Sequence, residues 1–75
     1  TVLVLGQGPI GLLFTQVLLA EGVRVVAGDL LPSRRALAAE FGAVVVNPIE
    51  QDALTVLHEL TEGRGPDAAV VAVPS

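Results

Sequence analysis

The sequence predicts an α/β fold: a parallel sheet of four strands in the order 3-2-1-4, joined by crossover helices. Three observations carry this. Four short apolar runs alternate with three stretches of helical periodicity, and Gly, Pro or Asn-Pro punctuates the junctions. The runs are apolar at successive positions rather than at alternate ones, as strands covered on both faces are.

The elements follow in order. Residues 3–5 form a first strand that runs into the cluster Gly6-Gln7-Gly8-Pro9-Ile10-Gly11. From there to Glu21, Ile10, Leu13, Phe14, Val17 and Leu18 recur at helical spacing, and Gly22 stops the helix. Leu12 and Leu19 lie off that stripe, and no charge appears before Glu21, so the helix is apolar nearly all round. Such a helix is normally buried on more than one side. Residues 23–27 make a second strand that closes on Gly28 and Asp29. Pro32 opens a short helix with Leu37, Ala38 and Phe41 on its buried side and Arg34, Arg35 and Glu40 towards water; Gly42 ends it. Residues 43–46 form a third strand. Asn47-Pro48 turns the chain into a helix over 50–61, with Ala53, Val56, Leu57 and Leu60 as its stripe, and the turn at 62–66 leads to a last strand over 68–73.

Composition narrows the function. The 75 residues are 52% hydrophobic with two Phe and no Trp, Tyr, Met or Cys, so aliphatic side chains make the core and no thiolate can bind metal. A net charge of −4 with four basic residues argues against nucleic acid or an anionic membrane as partner. The apolar stretches are too short for a membrane span. A soluble, cytoplasmic protein is the expectation. The strand-like start at Thr1 and the end in another strand predict a segment of a longer chain, too short to be well packed by itself.

Gly6, Gly8 and Gly11 fit the G-x-G-x-x-G pattern, and each has a physical task. Gly6 permits the tight strand-to-helix turn, Gly8 lets backbone approach a pyrophosphate, and Gly11 lets the helix pack on the strand. The diphosphate then meets free N–H groups at the helix start. Pro9 has no N–H, so Ile10 and its neighbours are the donors. Alone the pattern is weak, but here it follows a strand, opens a helix and precedes an acid at the end of the second strand. That acid, Asp29, would accept hydrogen bonds from the adenosine ribose hydroxyls and repel a 2′-phosphate, which favours NAD over NADP. The competing reading makes Asp29 only the start of the turn before Pro32. Strand, glycines, spacing and acid together favour a Rossmann-type NAD site.

The segments GQGPIGLL, FGA, NPIEQD and TEGRGPDAAVVAV resemble the zinc-dependent medium-chain alcohol dehydrogenases, nearest their sorbitol and threonine dehydrogenase-like branch. The resemblance covers essentially all of residues 1–75. It implies a partial NAD-binding domain whose cofactor contacts come from Gly6, Gly8, Pro9, Ile10, Gly11, Asp29, Leu30, Arg34 and Val73. Arg34 matches a basic residue that reaches the same ribose; a solvated helix face is an equal reading, and Arg35 beside it could do the same work. Pro74, Val71 and Leu31 depart from the family's habit, Leu31 weakening a helix cap by about 1 kcal/mol. The resemblance also implies zinc and the proton relay in a separate domain, a small-molecule alcohol as substrate, and a homo-oligomer. His58, the single His, reads as an exposed helical residue rather than a ligand. The leading expectation is oxidation of a secondary alcohol or polyol by NAD. The alternatives are a regulatory nucleotide-binding module without chemistry and a zinc-free, NADPH-preferring quinone reductase, the latter disfavoured by Asp29.

Overall fold

The computed structural model describes residues 1–48 and 53–72. Their elements are β1 (Val2–Leu5), α1 (Pro9–Ala20), β2 (Val25–Gly28), α2 (Pro32–Glu40), β3 (Val44–Val46), α3 (Ala53–Leu60) and β4 (Ala68–Val71). The strands form one parallel sheet in the order β3-β2-β1-β4, as expected from the alternation of strand and helix. In register, Leu5 pairs with Gly28 and with Val71, and Gly28 pairs with Val46. The carboxyl ends of all four strands therefore share one edge. The expected starts at 23 and 43 shorten to Val25 and Val44. The expected helix residues 50–52 and the strand end at Val73 lie outside the described residues.

Side chains alternate across the sheet and build two apolar layers. Val4, Val25, Ala27, Ala38 and Ala43 are buried on one face, packed by Leu12, Leu18 and Leu19 of α1. Leu3, Val26, Val46 and Leu57 are buried on the other, with Val56 and Leu60 of α3 beside them. β2 is buried at every residue, whereas β3 and β4, at the sheet edges, are exposed at some positions.

Two helix faces differ from expectation. In α1 the residues against the sheet are Gly11, Leu12, Thr15, Leu18 and Leu19, while Ile10, Leu13, Phe14 and Val17 face outward. The reason is Gly11. A Cβ there would fall 1.7 Å from the carbonyl oxygen of Gly6, so backbone touches backbone at this point and fixes the rotation of the helix. Residues four, seven and eight positions on then share the inner face. In α2, Ala38 is fully buried but Leu37 and Phe41 are exposed. The small Ala38 side chain lets the helix lie close to the sheet, and Leu37 and Phe41, four residues apart, share a face turned away from it.

Candidate functional site

The carboxyl edge of the sheet opens into a cleft of about 900 Å³ lined by Leu5, Gly6, Gly8, Pro9, Ile10, Gly28, Asp29, Leu30, Leu31, Arg34, Pro48, Val71 and Ala72. The β1–α1 loop forms one wall. Gly6 has φ +93°, a left-handed conformation that disfavours any side chain, and it reverses the chain between Leu5 and α1. Gly8 differs. Its φ is −67°, and a Cβ would meet nothing nearer than the Arg34 guanidinium at 3.6 Å. The fold itself leaves room for a side chain at Gly8, so the space above it belongs to the cleft. Pro9 is the first residue of α1, where its fixed φ suits a helix start and its missing N–H leaves no orphan.

Asp29 forms the second wall, one residue past β2. Its carboxylate is buried, 8% exposed, and both oxygens accept from backbone: Oδ2 from the Gln7 N–H at 2.7 Å and Oδ1 from the Leu31 N–H at 2.9 Å. Arg34 places a guanidinium nitrogen 3.7 Å from Oδ2. Burial alone would raise the Asp29 pKa, but the Leu31 and Gln7 N–H groups, with Arg34 and Arg35, outweigh it and hold the pKa below its ordinary value of 3.8. The group is a carboxylate at neutral pH. Two carboxylate oxygens offer about four acceptor positions, so the bonds to Gln7 and Leu31 leave capacity for ligand hydroxyls.

Beneath the loop lies a polar link that pattern reading did not find. Gln7, 2% exposed, donates from Nε2 to the Gly6 carbonyl at 3.2 Å and accepts from the fully buried Thr15 hydroxyl at 2.9 Å. Thr15 is one turn after Gly11 on the inner face of α1, which is the available signal. Loop, helix and acid are thus tied into one unit, Thr15–Gln7–Asp29.

The structure brings Gly6, Gly8, Pro9, Ile10, Asp29, Leu30 and Arg34 together around the cleft, with Gly11 behind the loop. Val73 and Pro74 lie outside the described residues. Leu31, Pro48 and Ala72 join the lining without having been anticipated. The two arginines separate: Arg34 lines the cleft, whereas Arg35, expected towards water, donates to the backbone carbonyls of Asp29 at 2.8 Å and Leu30 at 3.0 Å. His58 is exposed on α3. Among the described residues no group of three or more His, Cys, Asp or Glu side chains could hold a metal, and the sequence has no Cys, so these residues do not fit a zinc centre. No helix among them is long and apolar enough to cross a membrane.

Residues 9–75 match the family described as zinc-binding dehydrogenase. The chain is 41% identical over 69 residues to (R,R)-butanediol dehydrogenase of Neisseria gonorrhoeae, covering 89% of this chain and 20% of that protein. It is 39% identical over 69 residues to L-threonine 3-dehydrogenase of Pyrococcus horikoshii, with the same coverage. Among solved structures, the alcohol dehydrogenase TADH from Thermus sp. ATN1 superposes with a TM-score of 0.91 at 32% identity, covering 99% of this chain and 22% of that one. The 2R,3R-butanediol dehydrogenase from Bacillus subtilis gives 0.86 at 37% identity, covering 97% and 21%. The chain spans about a fifth of the length of the curated relatives it matches.

Proposed function

The chain belongs to the zinc-binding dehydrogenase family, the zinc-dependent medium-chain alcohol dehydrogenases, and from that membership we propose that it holds NAD for oxidation of a secondary alcohol or polyol. One observation carries the cofactor reading. The glycine loop and the Asp29 carboxylate meet at the carboxyl edge of the sheet, joined by the 2.7 Å bond from Gln7 N–H. It supports reading the loop as a diphosphate cradle and Asp29 as a ribose-hydroxyl acceptor, facing each other across one cleft.

In this reading the open face of Gly8 admits the diphosphate, and N–H groups of the first turn of α1 donate to it. Asp29 accepts from the adenosine ribose hydroxyls, and Arg34 stands beside them. A 2′-phosphate would have to approach a buried carboxylate that stays charged at neutral pH, and that repulsion selects NAD. Leu30, Leu31 and Pro48 offer apolar surface to the adenine side of the cleft. Bound NAD supplies the hydride acceptor. Zinc would be held by residues outside these 75, since the donors here do not fit it.

The substrate class rests on relatives whose names include butanediol, threonine, erythritol/threitol and sorbitol dehydrogenases. All of those substrates carry a secondary alcohol. The test is calorimetric titration of the full-length protein with NAD and NADP, followed by NADH formation with 2,3-butanediol, sorbitol and L-threonine. NAD binding with turnover of at least one alcohol is expected. NAD binding without turnover of any would favour a regulatory nucleotide module, and no NAD binding would remove the reading.

A further inference from the structure

The adjacent arginines at the start of α2 have different partners. Arg34 faces the cleft, its guanidinium 3.7 Å from Asp29 Oδ2. Arg35 does not line the cleft; its Nη1 donates to the Asp29 carbonyl at 2.8 Å and to the Leu30 carbonyl at 3.0 Å. The peptide that carries the Leu30 carbonyl also carries the Leu31 N–H. A trans peptide is planar, with its C=O and N–H pointing opposite ways. Holding that oxygen against Arg35 therefore aims the Leu31 N–H the other way, and there it donates to Asp29 Oδ1 at 2.9 Å.

We propose, on the basis of the NAD reading above, that Arg35 is the positioning residue for cofactor discrimination: it orients the Leu30–Leu31 peptide, which fixes the Asp29 carboxylate against the ribose. Asp29 then has two anchors, Gln7 N–H on one oxygen and Leu31 N–H on the other. Without Arg35 the peptide is free to rotate, the Oδ1 anchor is lost, and the carboxylate pivots on its Gln7 bond. Arg34 takes no part in that clamp. Its guanidinium lies beside the Asp29 carboxylate, and only its main-chain N–H reaches the turn, at the Leu31 carbonyl.

The experiment compares wild type, Arg35→Leu, Arg35→Lys and Asp29→Ala in the full-length protein, reading calorimetric dissociation constants for NAD and NADP and kcat at saturating NAD. Arg35→Leu should lower the NAD-over-NADP affinity ratio roughly tenfold, the scale of one hydrogen bond to a charged group, with kcat at saturating NAD unchanged. Arg35→Lys, which keeps the charge but loses the planar fork, should fall between wild type and the Leu variant. A residue that merely stabilised the fold would weaken both cofactors alike and leave the ratio untouched. An unchanged ratio in Arg35→Leu, while Asp29→Ala erodes it, overturns the role of Arg35 and leaves the NAD site standing. Should the Leu variant not fold, an unchanged ratio in the Lys variant overturns it equally. An unchanged ratio in Asp29→Ala removes the ribose role of Asp29 and the inference with it, whereas no NAD binding by wild type removes the NAD reading itself.

Discussion

Gln7 and Asp29, 22 residues apart in sequence, are joined by a 2.7 Å hydrogen bond from the Gln7 main-chain N–H to Asp29 Oδ2. The bond ties the glycine loop to the end of β2 through protein groups alone. It therefore acts as a preorganising contact, because the two walls of the cleft do not have to find each other when a dinucleotide arrives. The same carboxylate is the group proposed to read the ribose, so loop position and cofactor choice are mechanically linked.

Cofactor choice is the first expectation. With Asp29 charged beside the ribose, the full-length protein should prefer NAD over NADP in kcat/KM by at least tenfold, about 1.4 kcal/mol. Asp29→Ala should erode that preference without abolishing turnover. Equal kcat/KM values for the two cofactors in wild type would contradict the proposed role.

The glycines separate fold from binding. Gly11→Ala puts a methyl group 1.7 Å from the Gly6 carbonyl oxygen, a clash with backbone that the loop cannot relieve locally. That variant should be recovered poorly or melt well below wild type. Gly8→Val should fold, because the nearest atom to its Cβ is the flexible Arg34 guanidinium at 3.6 Å. It should nonetheless lose NAD affinity severely, since the branched side chain occupies the space above the loop. Thermal melts and NAD titrations of both variants decide; a folded Gly8→Val that binds NAD normally would show that the diphosphate lies elsewhere.

Much of this architecture is legible from local pattern. The strand alternation, the G-x-G-x-x-G loop and Asp29 are short-range signals, each set by backbone geometry within a few residues. The rotation of α1 is not of that kind. The helix has apolar residues on both sides, so periodicity alone points to Ile10, Leu13, Phe14, Val17 and Leu18; packing keeps Leu18 of these and adds Leu12 and Leu19. Counting from Gly11, which must touch the strand, would have found the inner face and Thr15 with it. The division between Arg34 and Arg35 was illegible for another reason. It depends on where two carbonyls point, and residue spacing carries no record of that.

The buried Gln7–Thr15 pair makes a prediction about stability. Thr15→Val keeps the shape but removes the hydroxyl, leaving Gln7 Oε1 buried without its donor. The expected loss is about 1–3 kcal/mol. Gln7→Leu with Thr15→Val should be less damaging than the sum of the singles, because the double variant leaves no orphaned acceptor. A double-mutant cycle by denaturant unfolding measures the coupling; strict additivity would mean that the 2.9 Å contact contributes nothing.

Acid should weaken the protein partly through Asp29. Its pKa in the folded chain lies below the ordinary 3.8, with burial opposing and the Leu31 and Gln7 N–H groups and both arginines prevailing. As pH falls, the unfolded state takes up the proton first. The contribution is therefore complete above about pH 3.8 and is lost as pH passes down through the lower folded value. Wild type should lose stability relative to Asp29→Asn in that window and in no higher one. A stability difference between the two that stays flat below pH 4 would mean that the carboxylate is not held as described.

The last expectation concerns the 75 residues made alone. On α1, Ile10, Leu13 and Val17 are 67%, 59% and 53% exposed, with Phe14 beside them, so one helix carries a contiguous apolar face. β4 lies at the sheet edge with Val71 66% exposed, and Leu37 and Phe41 add a second patch on α2. Surfaces of this kind are covered in stable proteins, and an exposed apolar edge strand invites pairing with another chain. With two Phe and no Cys to form a disulfide, the core left to offset chain entropy is small. The isolated segment should therefore bind a hydrophobic dye and associate as its concentration rises. Replacing Leu13 and Val17 with Glu and Lys should reduce dye binding without altering the strand order, because neither side chain touches the sheet. A sharp cooperative melt of a monomer, with well-dispersed amide resonances, would show that the two inner layers around Val4 and Leu3 suffice by themselves.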